Sequence, residues 1–193
     1  MLKKITLAST QGFCAGVASA IEVVEKALDK YGSPLYVRHE IVHNTSVIDD
    51  FEEKGVIFIE ELNEVPENQT VIFSAHGTAP GEYNKAKTRG LKVIDATCPL
   101  VSKIHREAVR FSERQVQTVL IGHRGHQELI GTSGYVDHSL LNIVEDESDI
   151  DCFIEGDFRC NVWSYSLNEG RVDLQVENLG GDNYLIKSFG VMG

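Results

Sequence analysis

Short apolar runs alternating with amphipathic stretches constrain this chain more than any other feature. The runs at residues 35–37, 56–59, 70–73, 91–94 and 118–121 are too short for helices and rich in branched side chains, so they read as strands, as does a run at 5–8. Between them apolar side chains recur at helical spacing. Val17, Ile21, Val24 and Leu28 form one stripe with Glu22, Glu25, Lys26 and Asp29 opposite; Val47, Ile48 and Phe51 form a second; Val101, Ile104, Ala108 and Phe111 form a third. The punctuation agrees with the period: Gly32 stops the first helix, Asn44 caps the next, Pro80 opens another that ends near Gly90, and Pro99 opens one with Cys98 as its N-cap. Alternation of this kind covers both faces of a parallel sheet. The expectation is an α/β fold of two small doubly wound parallel-sheet units in tandem, residues 1–97 and 98–150.

A further strand at 141–144 precedes an acidic run of Glu145, Asp146, Glu147, Asp149 and Asp151, read as a solvated helix start or linker. The character of the chain then changes: no alanine follows Ala108, no histidine follows His138, and Val172, Leu174 and Val176 alternate strictly with Asp173, Gln175 and Glu177. With strand-like runs at 161–167 and 184–189 and glycine-containing turns between, residues 151–193 are expected to form an antiparallel β-meander tail.

In parallel sheets, ligands collect outside the carboxyl ends of the strands. Cys14, His43, His76, Cys98, His126 and Glu128 all follow a strand-like run. A single histidine in such a loop would be unremarkable, but six side chains able to bind metal or move protons at one edge point to a site. Cys14 repeats the context of Cys98, a thiol at a helix start, where the unpaired N–H groups and the positive helix end favour an anionic sulfur. The 18 Lys and Arg against 29 Asp and Glu give a net charge of -11, which repels a phosphate backbone and an anionic membrane, so neither nucleic acid nor membrane is an expected partner. The four cysteines, at 14, 98, 152 and 160, include no C-x-x-C pair and are too few for a disulfide scaffold. With no long apolar stretch of the kind that makes a signal peptide, a reducing cytoplasm is the expected compartment.

Five motifs in order carry a resemblance: G-F-C-A-G around Cys14, R-H-E-I-V-H-N through His43, F-S-A-H-G through His76, D-A-T-C-P-L-V through Cys98 and I-G-H-R-G-H-Q-E-L-I-G-T through Glu128. From about Leu7 to Glu145 the chain resembles the 4-hydroxy-3-methylbut-2-enyl diphosphate reductases, iron-sulfur enzymes that end the non-mevalonate isoprenoid pathway. The resemblance implies a 4Fe-4S cluster held by three cysteines among three similar α/β domains, with one iron open to substrate. Carried over, Cys14 and Cys98 would be two cluster ligands, His43, His76 and His126 would grip the diphosphate of the small allylic substrate, and Glu128 would deliver a proton. An external electron donor such as ferredoxin or flavodoxin is implied as partner.

The chain departs from the family pattern in places. His126-Gln127-Glu128 stands where the family has histidine-proline-glutamate, and Thr132-Ser133-Gly134 where it has Thr-Met-Gly. The family's third domain, with its third cluster cysteine, its Ser-x-Asn loop and its Q-T-T-L segment, has no counterpart. Cys152 and Cys160 could in principle supply a third thiolate but read better as structural. Three functions are therefore weighed: the reductase; a zinc-dependent hydrolase using Cys, Cys and His as ligands and Glu128 as base; and a truncated, inactive relic that folds without a complete cluster site.

Overall fold

The computed structural model describes residues 12–145 and 149, and the backbone of three strands beyond 160. The run at 5–8, Cys152, Cys160 and most of the acidic run lie outside the described residues. In order the elements are α1 (Ala15–Tyr31), β1 (Leu35–Arg38), α2 (Thr45–Glu53), β2 (Val56–Ile59), a 3-10 turn (Leu62–Glu64), β3 (Thr70–Phe73), α3 (Pro80–Thr88), β4 (Lys92–Asp95), α4 (Pro99–Glu113), β5 (Thr118–Ile121), α5 (Gln127–Ser133), β6 (Leu141–Val144), β7 (Asn161–Tyr165), β8 (Arg171–Gly180) and β9 (Asn183–Val191).

The boundaries follow from local chemistry. Asn44 Oδ1 accepts the Val47 N–H at 3.2 Å and starts α2. Gly32, at φ 75, ends α1 by returning its N–H to Leu28 O at 2.8 Å. Strand β4 begins one residue later than its apolar run suggests, because the Leu91 N–H is taken by Ala86 O at 3.0 Å, closing the end of α3, and the ladder starts with Lys92.

The first sheet runs β2-β1-β3-β4, with all its pairings parallel. Strand β3 shows why its run is apolar throughout. Ile72 packs with Ala20, Val24 and Ala27 of α1 and Phe51 of α2, whereas Val71 and Phe73 pack on the opposite face with Leu62, Val65 and Ala86. Successive side chains point to opposite faces, so a sheet covered on both sides needs apolar residues at every position. On α1 the deepest burial belongs to Ala20, Val24 and Ala27, while Val17, Ile21 and Leu28 pack at the margin. The small alanines let the helix approach the sheet closely.

The second sheet runs β6-β5-β7-β8-β9. Strand β5 pairs in parallel with both β6 and β7, and β7, β8 and β9 follow as an antiparallel meander, so the meander continues the second sheet from the flank of β5. Ala108 of α4 packs with Val136 and Leu140 beneath it. Among the described residues no helix is long and apolar enough to cross a membrane.

The strand order of the first sheet matters for the site. From β1 the chain moves outward to β2 and then returns to the other side of β1 for β3, so the connections leaving β1 and β3 diverge and open a crevice at their carboxyl ends.

Candidate functional site at the carboxyl edge

His43 follows β1 and His76 follows β3, so both rise from the switch point of the first sheet, while His126 follows β5 of the second. Their rings meet. The centroids lie 4.4 Å apart for His43 and His76, 6.0 Å for His43 and His126, and 6.3 Å for His76 and His126.

Each ring has its own setting. His76 is only 6% exposed and its Nδ1 lies 3.2 Å from Ser74 Oγ. Burial lowers its pKa from 6.5 to about 4, with the neighbouring His43, His126 and His39 adding to the effect, so the ring is neutral near pH 7. His126 is the N-cap of α5: its Nδ1 accepts the Glu128 N–H at 3.3 Å, which leaves the Nε2 of the neutral ring as a donor. Its pKa is also lowered, first by burial and then by His43 and His123. His43 is exposed and its Nδ1–H donates to Glu40 Oε2 at 3.3 Å. Glu128 sits half-buried in the first turn of α5; burial raises its carboxyl pKa, and the nearby His43 opposes that shift. A carboxyl group whose charged form is disfavoured by burial is therefore held close to His43, one of a cluster of imidazoles.

The two thiols arrive from the ends of the first unit. Cys14 caps α1, its Sγ accepting the Val17 N–H at 3.5 Å, and Cys98 caps α4 with Pro99 behind it. Both face Gly16: a Cβ added there would lie 2.5 Å from Cys98 Sγ and 3.9 Å from Cys14 Sγ. The bare glycine is what allows the sulfurs to converge. Cys98 is also tied to the histidines, because its N–H donates to Ala75 O at 3.0 Å, one residue before His76. Both cysteines are free, Cys14 exposed and Cys98 half-buried. As a test of the implied cluster, the two sulfurs share the space over Gly16, but a cubane needs at least a third anchor. Among the described residues no three His, Cys, Asp or Glu side chains are grouped to hold a metal.

The structure thus brings together His43, His76 and His126, sets Glu128 close to His43, and separately brings Cys14 to Cys98. It also adds residues that sequence reasoning did not assign: Ser74 and Glu40, which orient His76 and His43, and Gly16 between the thiols. All three lie inside the quoted motifs, so the signal was present as spacing, but their partners are visible only in space.

Fold and edge define a class: an α/β protein with two sheets in tandem, whose strand ends deliver imidazoles and one thiol to a rim where a second thiol caps a helix. Within that class the chain belongs to the LytB protein family, whose family model matches residues 5–164. It is 53% identical over 150 residues to the 4-hydroxy-3-methylbut-2-enyl diphosphate reductase of Marinobacter nauticus, covering 76% of this chain and 48% of that protein. The corresponding reductase of Pseudomonas aeruginosa is 54% identical over 150 residues, again with 76% and 48% covered. The structure of the E-1-hydroxy-2-methyl-but-2-enyl-4-diphosphate reductase from Plasmodium falciparum superposes with a TM-score of 0.75 at 39% identity, over 83% of this chain and 50% of that one. A solved (E)-4-hydroxy-3-methyl-but-2-enyl diphosphate reductase, described as the terminal enzyme of the non-mevalonate pathway, gives 0.69 at 32% identity, over 80% and 55%. The chain spans about half the length of the curated relatives it matches.

Proposed function

We propose that this chain forms part of a site for reductive dehydroxylation of (E)-4-hydroxy-3-methylbut-2-enyl diphosphate to isopentenyl and dimethylallyl diphosphate, the last step of the non-mevalonate isoprenoid pathway. The observation that supports it is the meeting of His43, His76 and His126, from loops of both sheets, together with the convergence of Cys14 and Cys98, in a chain whose relatives carry that reductase name. The reaction takes up two electrons and two protons, breaks the allylic C–O bond and releases the oxygen as water. Cys14 and Cys98 would hold two irons of a 4Fe-4S cluster, which when bound supplies the electrons and an open Lewis-acidic iron. An external donor such as ferredoxin or flavodoxin, in the cytoplasm, would supply those electrons.

The chain's own residues then have separate tasks. His126 donates from Nε2 to a diphosphate oxygen. His76, fixed by Ser74, presents its free edge to the same group, and its buried, neutral state lets it take up charge when the anion arrives. His43, exposed and next to Glu40, closes over the anion from the solvent side. Burial disfavours the Glu128 carboxylate, and the charge of an incoming diphosphate adds to that preference, which suits Glu128 to donate a proton to the departing hydroxyl.

A second reading, a relic that folds and binds phosphate without catalysing anything, is favoured by one observation: two converging thiols and no third among the described residues. No comparable observation favours the zinc hydrolase. Anaerobic reconstitution separates the two readings. The reductase reading expects about four irons and four sulfides per assembled site and consumption of the diphosphate substrate with a chemical reductant. A chain that binds inorganic diphosphate but retains neither iron nor sulfide, alone or with a polypeptide supplying a further thiolate, is the relic.

A further inference from the structure

His76 and His126 rise from different sheets, so their approach depends on how the two units are held together. The turn that carries His76 is gripped by the second unit on both sides. On one side stands His105 of α4, only 5% exposed. A Cβ added at Gly77, which has φ 86, would lie 2.5 Å from the His105 Cε1 and 2.8 Å from Val101 Cγ1, so the imidazole edge lies flat against the bare backbone. On the other side is α5, the helix that His126 caps. A Cβ added at Gly131 would lie 2.8 Å from the Gly77 carbonyl oxygen, and one at Gly134 would lie 2.5 Å from Ala79 Cβ. Tyr135 completes the grip. Its ring stacks on His105 with centroids 4.2 Å apart and 23° between planes, and its hydroxyl donates to Thr78 O at 3.1 Å. Among the described residues the buried His105 Nε2 has no hydrogen-bond partner, and the ring meets Gly77 by close van der Waals contact.

We infer that His105 and Tyr135 are positioning residues: their stacked rings clamp the peptide joining Gly77 to Thr78 against α5 and thereby hold His76 opposite His126. Its importance for activity rests on the proposed diphosphate grip, but the positioning itself does not. Rigid packing of this kind suits the task, because a histidine displaced by about 1 Å no longer shares an anion with its neighbour. Neither residue touches the other three rings, and neither belongs to the set that would contact substrate.

The test uses the full chain with labelled histidines. The nuclear Overhauser cross-peak between the His76 and His126 rings is recorded for wild type, Tyr135→Phe and His105→Ala, and each is titrated with inorganic diphosphate. Tyr135→Phe keeps the stacked ring and loses only the hydroxyl, so it should melt within a few degrees of wild type, yet weaken the cross-peak and bind diphosphate about threefold to tenfold less tightly. His105→Ala should lose more of both. If it fails to fold, Tyr135→Phe decides alone. An unchanged cross-peak in folded Tyr135→Phe overturns the inference, whatever the affinity. If wild type binds no diphosphate while the cross-peak still falls in Tyr135→Phe, the clamp stands and the diphosphate grip fails.

Discussion

The histidines and the thiols share one rim but are built differently. The three rings come from three loops on two sheets and close on one another, with Ser74, Glu40 and the Glu128 N–H fixing individual nitrogens. The thiols converge on Gly16, and the hydrogen bond received by Cys14 from Val17 is the one the described residues offer either sulfur. The difference teaches that this chain by itself preorganises the ring cluster that the proposed anion grip requires, whereas a cluster site is not completed by the residues described. A group of hydrogen-bond donors works with whatever subset is present, but a cubane needs its anchors together.

The sharpest way to break that comparison is to remove one thiol. Cys14→Ser or Cys98→Ser should abolish nearly all iron retention after reconstitution, leave inorganic diphosphate affinity within about twofold, and contrast with Cys152→Ser, which should change neither. Iron and sulfide analysis beside calorimetric titration reads both halves. Loss of diphosphate binding in the serine variants would mean that the two sets form one unit.

A somewhat smaller effect separates binding from chemistry within the rim. In a preparation that turns over, Glu128→Gln keeps the shape but cannot donate the proton, and should lower turnover about a hundredfold or more with diphosphate affinity nearly intact. His43→Ala should do the reverse, raising the dissociation constant with a lesser effect on turnover. Equal effects of both substitutions on both quantities would dissolve the division of labour.

The smallest effect concerns stability against pH. The His76 pKa falls from 6.5 to about 4 on folding, so between those values the unfolded chain binds more protons than the native one. Stability should therefore decline as pH falls from about 6.5 to about 4, by at most about 3 kcal/mol from this residue, and level off below. Denaturant titrations of His76→Gln should show a flatter acid limb. Saturating diphosphate should flatten the wild-type limb too, since an anion favours the charged ring. Identical limbs in wild type and variant would mean that the histidine cluster is as open to water as the thiols.

Much was legible in the chain itself. The strands at β2, β3, β5 and β6 coincide with their apolar runs, and Asn44, Pro80, Cys98 with Pro99, and Gly32 stand where the helices start or stop. These features depend on hydrogen bonds and side-chain spacing within a few residues, and local sequence determines such things. That all the candidate residues follow strand-like runs was equally readable, and with it the prospect of a site at the carboxyl edge. The tertiary structure alone decided which of them meet. The order β2-β1-β3-β4 set His43 beside His76, although another order would satisfy the same apolar runs. Pairing of β7 with β5 joined the meander to the second sheet, and the bare backbones of Gly16, Gly77 and Gly131 admitted a sulfur, an imidazole and a carbonyl. Strand order and close approach are settled by packing between segments far apart in the chain, where each run fits several neighbours equally well and only the assembled core selects one.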